Sequence, residues 1–346
     1  LAEKKYIINY FTLSDYEQNL SDKYINHINY SSSKHSIKEY IDLVEVEIRK
    51  TSSKVIHIHE PELFSLAVNI KKMTGAKIIY DVHEDYISMI YTFSEWNRYI
   101  KYLRVKYWSL KEKYFLQHVD EIIIASSTIV NSDFKTQGFS PVLLENFPSK
   151  NLVGDIDFKH KIKNSLIYHG NMGPERGIVE LIEAMNYVIK IIPSATLSLI
   201  GGFRTIDYKD EVNSMIDMLG IRKHINLKDH ILHQDIWQHL VKHAVGIIPF
   251  NENPLTRINT PTKLFEFMAS GCQLVAPSLI PITKYDFKAA KIFKPGDIKN
   301  LSDAIINALK ENDQDGIEYN LNKVKSDYNW ENNSPKLIDL YDRVLS

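Results

Sequence analysis

The chain has 346 residues, with 42 Lys+Arg against 43 Asp+Glu and a single cysteine, Cys272. That length exceeds one ordinary hydrophobic core and sets two domains as the starting expectation. The near-cancelling charge argues against a general nucleic-acid binder, and a lone cysteine allows no internal disulfide and fits a reducing compartment. No apolar run approaches the roughly 18–20 residues that cross a bilayer.

In chain order, the opening LAEKK runs into the strand-like YIINY. It reads as the end of a helix entering a second strand, so a first strand and helix are expected to precede it. Strands are then predicted at residues 55–59 (VIHIH), 76–82, 121–125 and 141–144, with a helix near 62–72. Short apolar runs alternating with helical periodicity predict parallel sheets covered by helices on both faces. Residues 146–163 contain Pro148 and Gly154 in a polar, charge-rich run and read as a linker. The alternation restarts with a strand at 165–169, a helix at 178–191, and strands at 195–200, 245–249 and 273–276. The fold class is therefore α/β, with two doubly wound Rossmann-like domains facing a cleft. The divisions are 1–150, 151–326 and a terminal helix over 327–346.

Two segments carry phosphate chemistry. In NTPTKLFEFMASG, Thr260 is a plausible N-cap, Pro261 suits the first helical position and Gly271 suits the residue after the C-cap. Lys263 lies in the first turn, where a helix N-terminus favours anions. Glu266, three residues on, shares its face and can accept hydrogen bonds from a ribose diol. The plain alternative is a surface salt bridge between the two. In YHGNMGPERG, glycines such as Gly170 allow a ligand close to the backbone, and Arg176 offers a planar donor fork to phosphate oxygens. An ordinary tight connection is the alternative here.

These segments, with "LSLIGG", "VGIIPF", "HIHEPEL", "KIIYDVHEDY" and "YNWENNSPKLIDLYDRVL", resemble the retaining GT-B glycosyltransferases of family four over nearly the whole chain. The resemblance implies a nucleotide-sugar donor, UDP- or GDP-linked, and no cofactor or metal. It implies that Arg176 and Lys263 bind the donor diphosphate and that Glu266 binds the ribose. Gly170, Asn171, Asn259 and Thr260 would line the same donor site, and His83 would stand as the catalytic histidine near the transferred sugar. It implies a terminal helix that crosses back to the first domain, and a place in bacterial surface-polysaccharide or glycolipid assembly, with a glycan or lipid-linked acceptor. Two positions depart from the pattern. Asn171 stands where an arginine is common, and Ile258, beside Asn259, stands where a first glutamate is usual. A nucleotide-sugar 2-epimerase and a non-catalytic scaffold subunit are the rival functions.

Three features remain. His57 and His59 alternate on one strand face, with Glu60 following and His83 nearby; a metal site is the minor reading, because no recognised ligand spacing supports it. Asp155 and Asp157 form a loose aspartate pair in the linker and are discounted. Residues 91–118 interleave basic and aromatic side chains, which suits an anionic membrane surface from the cytoplasmic side. The alternative is a core-packing helix with solvated lysines.

Overall fold

The computed structural model describes residues 1–15, 20–153, 160–311 and 313–346. Gly154, Asp155 and Asp157 lie outside the described residues.

The first unit contains β1 (Ile8–Leu13), β2 (Ile25–Tyr30), α1 (Ile37–Arg49), β3 (Val55–Ile58), α2 (Phe64–Thr74), β4 (Lys77–Val82), α3 (Tyr86–Phe93), α4 (Arg98–Leu116), β5 (Glu121–Ile124), α5 (Ser132–Thr136) and β6 (Val142–Leu143). Its strands form a parallel sheet in the order β3-β4-β5-β6 and a separate parallel pair, β1-β2. In β4 five consecutive residues are buried, the continuous apolar run of a strand covered on both faces. The strand anticipated at the start begins two residues later and runs on to Leu13.

The second unit contains β7 (Ile162–His169), α6 (Ile178–Ile191), β8 (Thr196–Ile200), α7 (Ile206–Met218), β9 (Ile225–Lys228), α8 (His233–Leu240), β10 (His243–Ile247), α9 (Lys263–Ala269), β11 (Gln273–Pro277), α10 (Ile280–Thr283), β12 (Ala290–Phe293), α11 (Ile298–Lys310), α12 (Gln314–Ser326) and α13 (Trp330–Leu345). All its pairings are parallel, in the order β12-β11-β10-β7-β8-β9. This is the doubly wound order, and its direction reverses between β7 and β10. Ligands of such sheets sit at that reversal, beyond the carboxyl ends of the strands. Helix α6 buries Ile178, Leu181, Ile182, Met185 and Val188, a stripe at three- and four-residue spacing that seals one face of the sheet.

Helix α13 leaves the second unit and packs on the first. Leu340 is fully buried against Ile79, Ile123 and Leu144. Asn333 Nδ2 donates to the Glu145 carbonyl at 2.7 Å. Closer to the cleft, Lys284 pairs with Glu145 at 3.3 Å, and Tyr285 OH donates to the same carboxylate. The two sheets are thereby held with their strand ends facing one cavity.

Candidate functional site

A cavity of about 510 Å³ separates the two units. Gly170, Asn171, Arg176, Asn259, Thr260, Lys263 and Glu266 line it from the second unit, and His83 lines it from the first. The eight residues singled out in the sequence therefore face one space.

The second unit's wall is built at the sheet reversal. Strand β7 ends at His169, and Gly170 follows with φ 106°, a conformation that side chains rarely adopt. A Cβ there would stand 3.3 Å from Lys263 Nζ, so the missing side chain makes room for the lysine. Gly177 has φ 68°, and a Cβ would collide with the Pro249 carbonyl at 1.9 Å. This close approach holds the loop carrying Arg176 against the end of β10.

Lys263 is only 8% exposed, and it makes no ion pair among the described residues. Its Nζ lies 4.2 Å from the centre of the Tyr168 ring and 4.9 Å from that of Phe250. The Arg176 guanidinium stacks on the same Phe250 ring at 4.6 Å. Burial, and then the nearby Arg176 charge, push the lysine well below its usual value. Two cations thus converge on an apolar ring at the rim of a cavity. Arg176 is steadied by Glu175, whose buried carboxylate meets Arg176 Nε at 3.1 Å and Arg204 at 2.6 Å.

Glu266 is buried at 6% exposure, with Oε2 3.1 Å from His169 Nε2. The surface salt bridge weighed for Lys263 and Glu266 is not present, because both side chains turn inward on a buried helix. The helix boundary also differs from expectation. Helix α9 starts at Lys263, with Thr262 in the N-cap position and Pro261 before it. Thr260 does not cap; its hydroxyl contacts Ser126 at 2.9 Å and Tyr285 at 3.3 Å, bridging the two units. Gly271, with φ 67°, sits just after the C-cap Ser270 as anticipated. Asn259 Oδ1 is buried with no hydrogen-bond partner among the described residues. The Ile258 carbonyl accepts from Thr128, so this loop too is tied across the cleft.

With this geometry the chain can be placed among known proteins. Residues 163–311 match the family model described as Glycosyl transferases group 1. A sucrose-phosphate synthase from Thermosynechococcus elongatus superposes with a TM-score of 0.79 at 16% identity, over 99% of this chain and 90% of that one. An Anabaena protein solved with UDP-glucose superposes at 0.69, with 14% identity over 92% and 86%. A glycosyltransferase from Rickettsia africae superposes at 0.66, with 15% identity over 93% and 86%. No curated protein sequence matches the chain. The fold is GT-B. The family match and these neighbours together support a glycosyltransferase.

On the first unit's wall of this GT-B cleft, the sequence reading set His57, His59 and His83 near one another but named Glu60 rather than Asp81 as their acidic companion. In the parallel β3-β4 pair His57 stands opposite Ile79. Residues 57, 59, 79, 81 and 83 therefore share one face. Three imidazoles surround Asp81 Oδ2: His57 Nε2 at 3.2 Å, His83 Nε2 at 3.3 Å and His59 Nδ1 at 3.4 Å. Burial works to raise the Asp81 carboxyl, but hydrogen bonds from His57 and His83 hold it below the usual carboxylate range. Hydrogen bonding to Asp81 raises His83, while burial and His57 push His59 down to about 4. His169, Glu175, Arg204 and Phe250 were likewise not singled out. Phe250 could have been, since it directly follows the "VGIIP" strand at its carboxyl end.

Helix α4 does not pack into the core. Only Phe115 and Leu116 of its 19 residues are buried. Tyr99, Leu103, Tyr107, Leu110 and Tyr114 form one row, each more than half exposed. No helix among the described residues is long and apolar enough to cross a membrane.

Proposed function

We propose that this protein transfers a sugar, with retention of anomeric configuration, from a UDP- or GDP-linked donor to a glycan or lipid-linked acceptor, in assembly of a bacterial surface polysaccharide or glycolipid. The carrying observation is the buried Lys263, which makes no ion pair among the described residues and lies beside Arg176 on the Phe250 ring. The Glu266 and Glu175 carboxylates favour the charged lysine but do not offset its burial and the Arg176 charge, and a donor diphosphate would offset that cost. As the bond from sugar to diphosphate breaks, negative charge grows on the leaving oxygens, and cations already in place stabilise it without reorganising. No metal is needed at the diphosphate in this reading. Glu266, oriented by His169, receives the ribose hydroxyls. Asn259, with its unpartnered buried oxygen, and Gly170, Asn171 and Thr260 complete the donor wall. His83 faces the transferred sugar from the opposite wall. The neighbour solved with UDP-glucose, and a pneumococcal O-GlcNAc transferase solved with UDP and GlcNAc, support a nucleotide-sugar as the donor class.

The acceptor side is assigned to α4, lying on an anionic membrane surface. The helix carries six basic residues and one acidic residue, Glu112, which turns inward to Tyr80 and Asn131. An exposed aromatic row edged by Arg98, Lys106 and Lys113 matches a bilayer interface in both shape and charge.

The test is transfer itself. Labelled UDP- and GDP-sugars are incubated with the protein and a bacterial membrane extract, and label is followed into product. One donor should give product, and Lys263→Ala should lower the rate by ~10²-fold or more. Equal incorporation by the variant would remove Lys263 from the reaction.

A further inference from the structure

Outside the wall carrying Arg176 and Lys263, a group of ligating side chains lies where β3 and β4 end. We infer that His57, His59 and Asp81, with His83 beside them, form a binding site for a divalent transition-metal ion of the zinc type. A tetrahedral ion with ligand bonds near 2.0–2.1 Å places its donor atoms roughly 3.3 Å apart. Asp81 Oδ2 stands 3.2, 3.4 and 3.3 Å from His57 Nε2, His59 Nδ1 and His83 Nε2, and the last two nitrogens are 2.9 Å apart. The donors of His57, His59 and Asp81 all lie within 4.8 Å of one another.

Two further observations fit an ion at that point. His57 Nδ1 is 2.8 Å from Tyr341 OH on α13, a partner beyond the donor set that fixes the ring. With Nδ1–H donating to the tyrosine oxygen, Nε2 keeps its lone pair for a metal. Asp81 Oδ1 is buried with no hydrogen-bond partner among the described residues, leaving a charge that a cation would neutralise. Two imidazoles and one carboxylate are an N/O donor set suited to Zn²⁺ or Co²⁺ and poorly suited to Mg²⁺ or Ca²⁺.

The three donors come from the ends of two strands, so the ion acts as a clip between them. It joins the ends of β3 and β4, and through Tyr341 it braces α13. His83 stands outside this donor set, so the ion leaves it free for the role toward the sugar proposed above.

The experiment uses the full chain, stripped of metal with chelator and titrated with Co²⁺ and then Zn²⁺. One equivalent of Co²⁺ should produce the visible absorption of a tetrahedral centre, and Zn²⁺ should displace it. Zn²⁺ at about a hundredfold excess over its dissociation constant should raise Tm by ~5 °C. His59→Ala, at an exposed residue, and Asp81→Asn should abolish both signals. Nucleotide-induced stabilisation, read on the same samples, reports whether each variant retains a folded second unit and separates metal loss from failure of the donor site. Absence of the cobalt spectrum in the unmodified chain would overturn the assignment, as would an unchanged spectrum in His59→Ala.

Discussion

Lys263 gathers the physical tension of the site in one side chain. It is buried, lies close to a second cation, and is pushed well below its usual value by desolvation. An apolar replacement of similar length relieves that tension in the ligand-free protein while removing the charge the ligand needs. Lys263→Met should therefore melt at a higher temperature than the parent without ligand, yet gain no stability from nucleotide. A melting scan with and without nucleotide checks both halves. A second residue-scale case is Glu112, whose carboxyl is pushed up to about 7 by burial, against the lowering effect of its hydrogen bond from Tyr80. Its folded value lies above the unfolded one, so its contribution is fully present below about 4.5. It is lost as pH rises through about 7. Glu112→Gln keeps the shape and cannot ionise. It should raise stability by roughly 2–3 kcal/mol at pH 8 and by little at pH 4.5, measured by denaturant unfolding at the two values.

Among the elements, the loop before α6 depends on a glycine in two ways. Gly177 needs a positive φ, and its Cα faces the Pro249 carbonyl. Gly177→Ala should cost about 2–4 kcal/mol and weaken nucleotide binding, because it pushes Arg176 away from Phe250. Calorimetric titration of the variant checks the second effect. Helix α4 gives the opposite expectation. Leu103→Glu combined with Tyr107→Glu alters exposed side chains only, so Tm should hold while co-sedimentation with anionic vesicles is lost; equal sedimentation of both proteins would remove the membrane reading. The elements also show why parts of the fold were legible in sequence. The α6 stripe and the buried run of β4 are patterns of a single segment, and both were found. Strand β2, INHINY, has no fully buried residue and, among the described residues, pairs only with β1, so it carries no apolar run to recognise. Thr260 looked like a cap because it precedes a proline, but its hydroxyl is taken by Ser126 and Tyr285 from distant segments. The alternation of His57 and His59 was visible in sequence, but the place of Asp81 among the histidines depends on β3-β4 register, which a sequence reading without pairing information does not contain.

At the scale of the whole molecule, two parallel sheets point their carboxyl ends at one cavity. Links through Thr260–Ser126, Lys284–Glu145 and α13 hold them in that relation. One wall supplies cations and a buried carboxylate; the other supplies imidazoles around Asp81. That division matches a reaction in which one side holds the leaving nucleotide and the other presents what receives the sugar. The cation-bearing wall was readable in sequence because its residues cluster in two short segments. On the opposite wall His83 and the His57–His59 alternation were readable, but Asp81 at their centre was not, because the group is assembled from separate strands. The most direct test of the central claim is thermal stabilisation of the purified chain by UDP, GDP, ADP and CMP, and by their sugars, with and without EDTA. The account predicts that UDP or GDP raises Tm with EDTA present, and that Lys263→Ala and Glu266→Ala abolish the rise. No shift with any nucleotide, or a shift that survives in both variants, would contradict it.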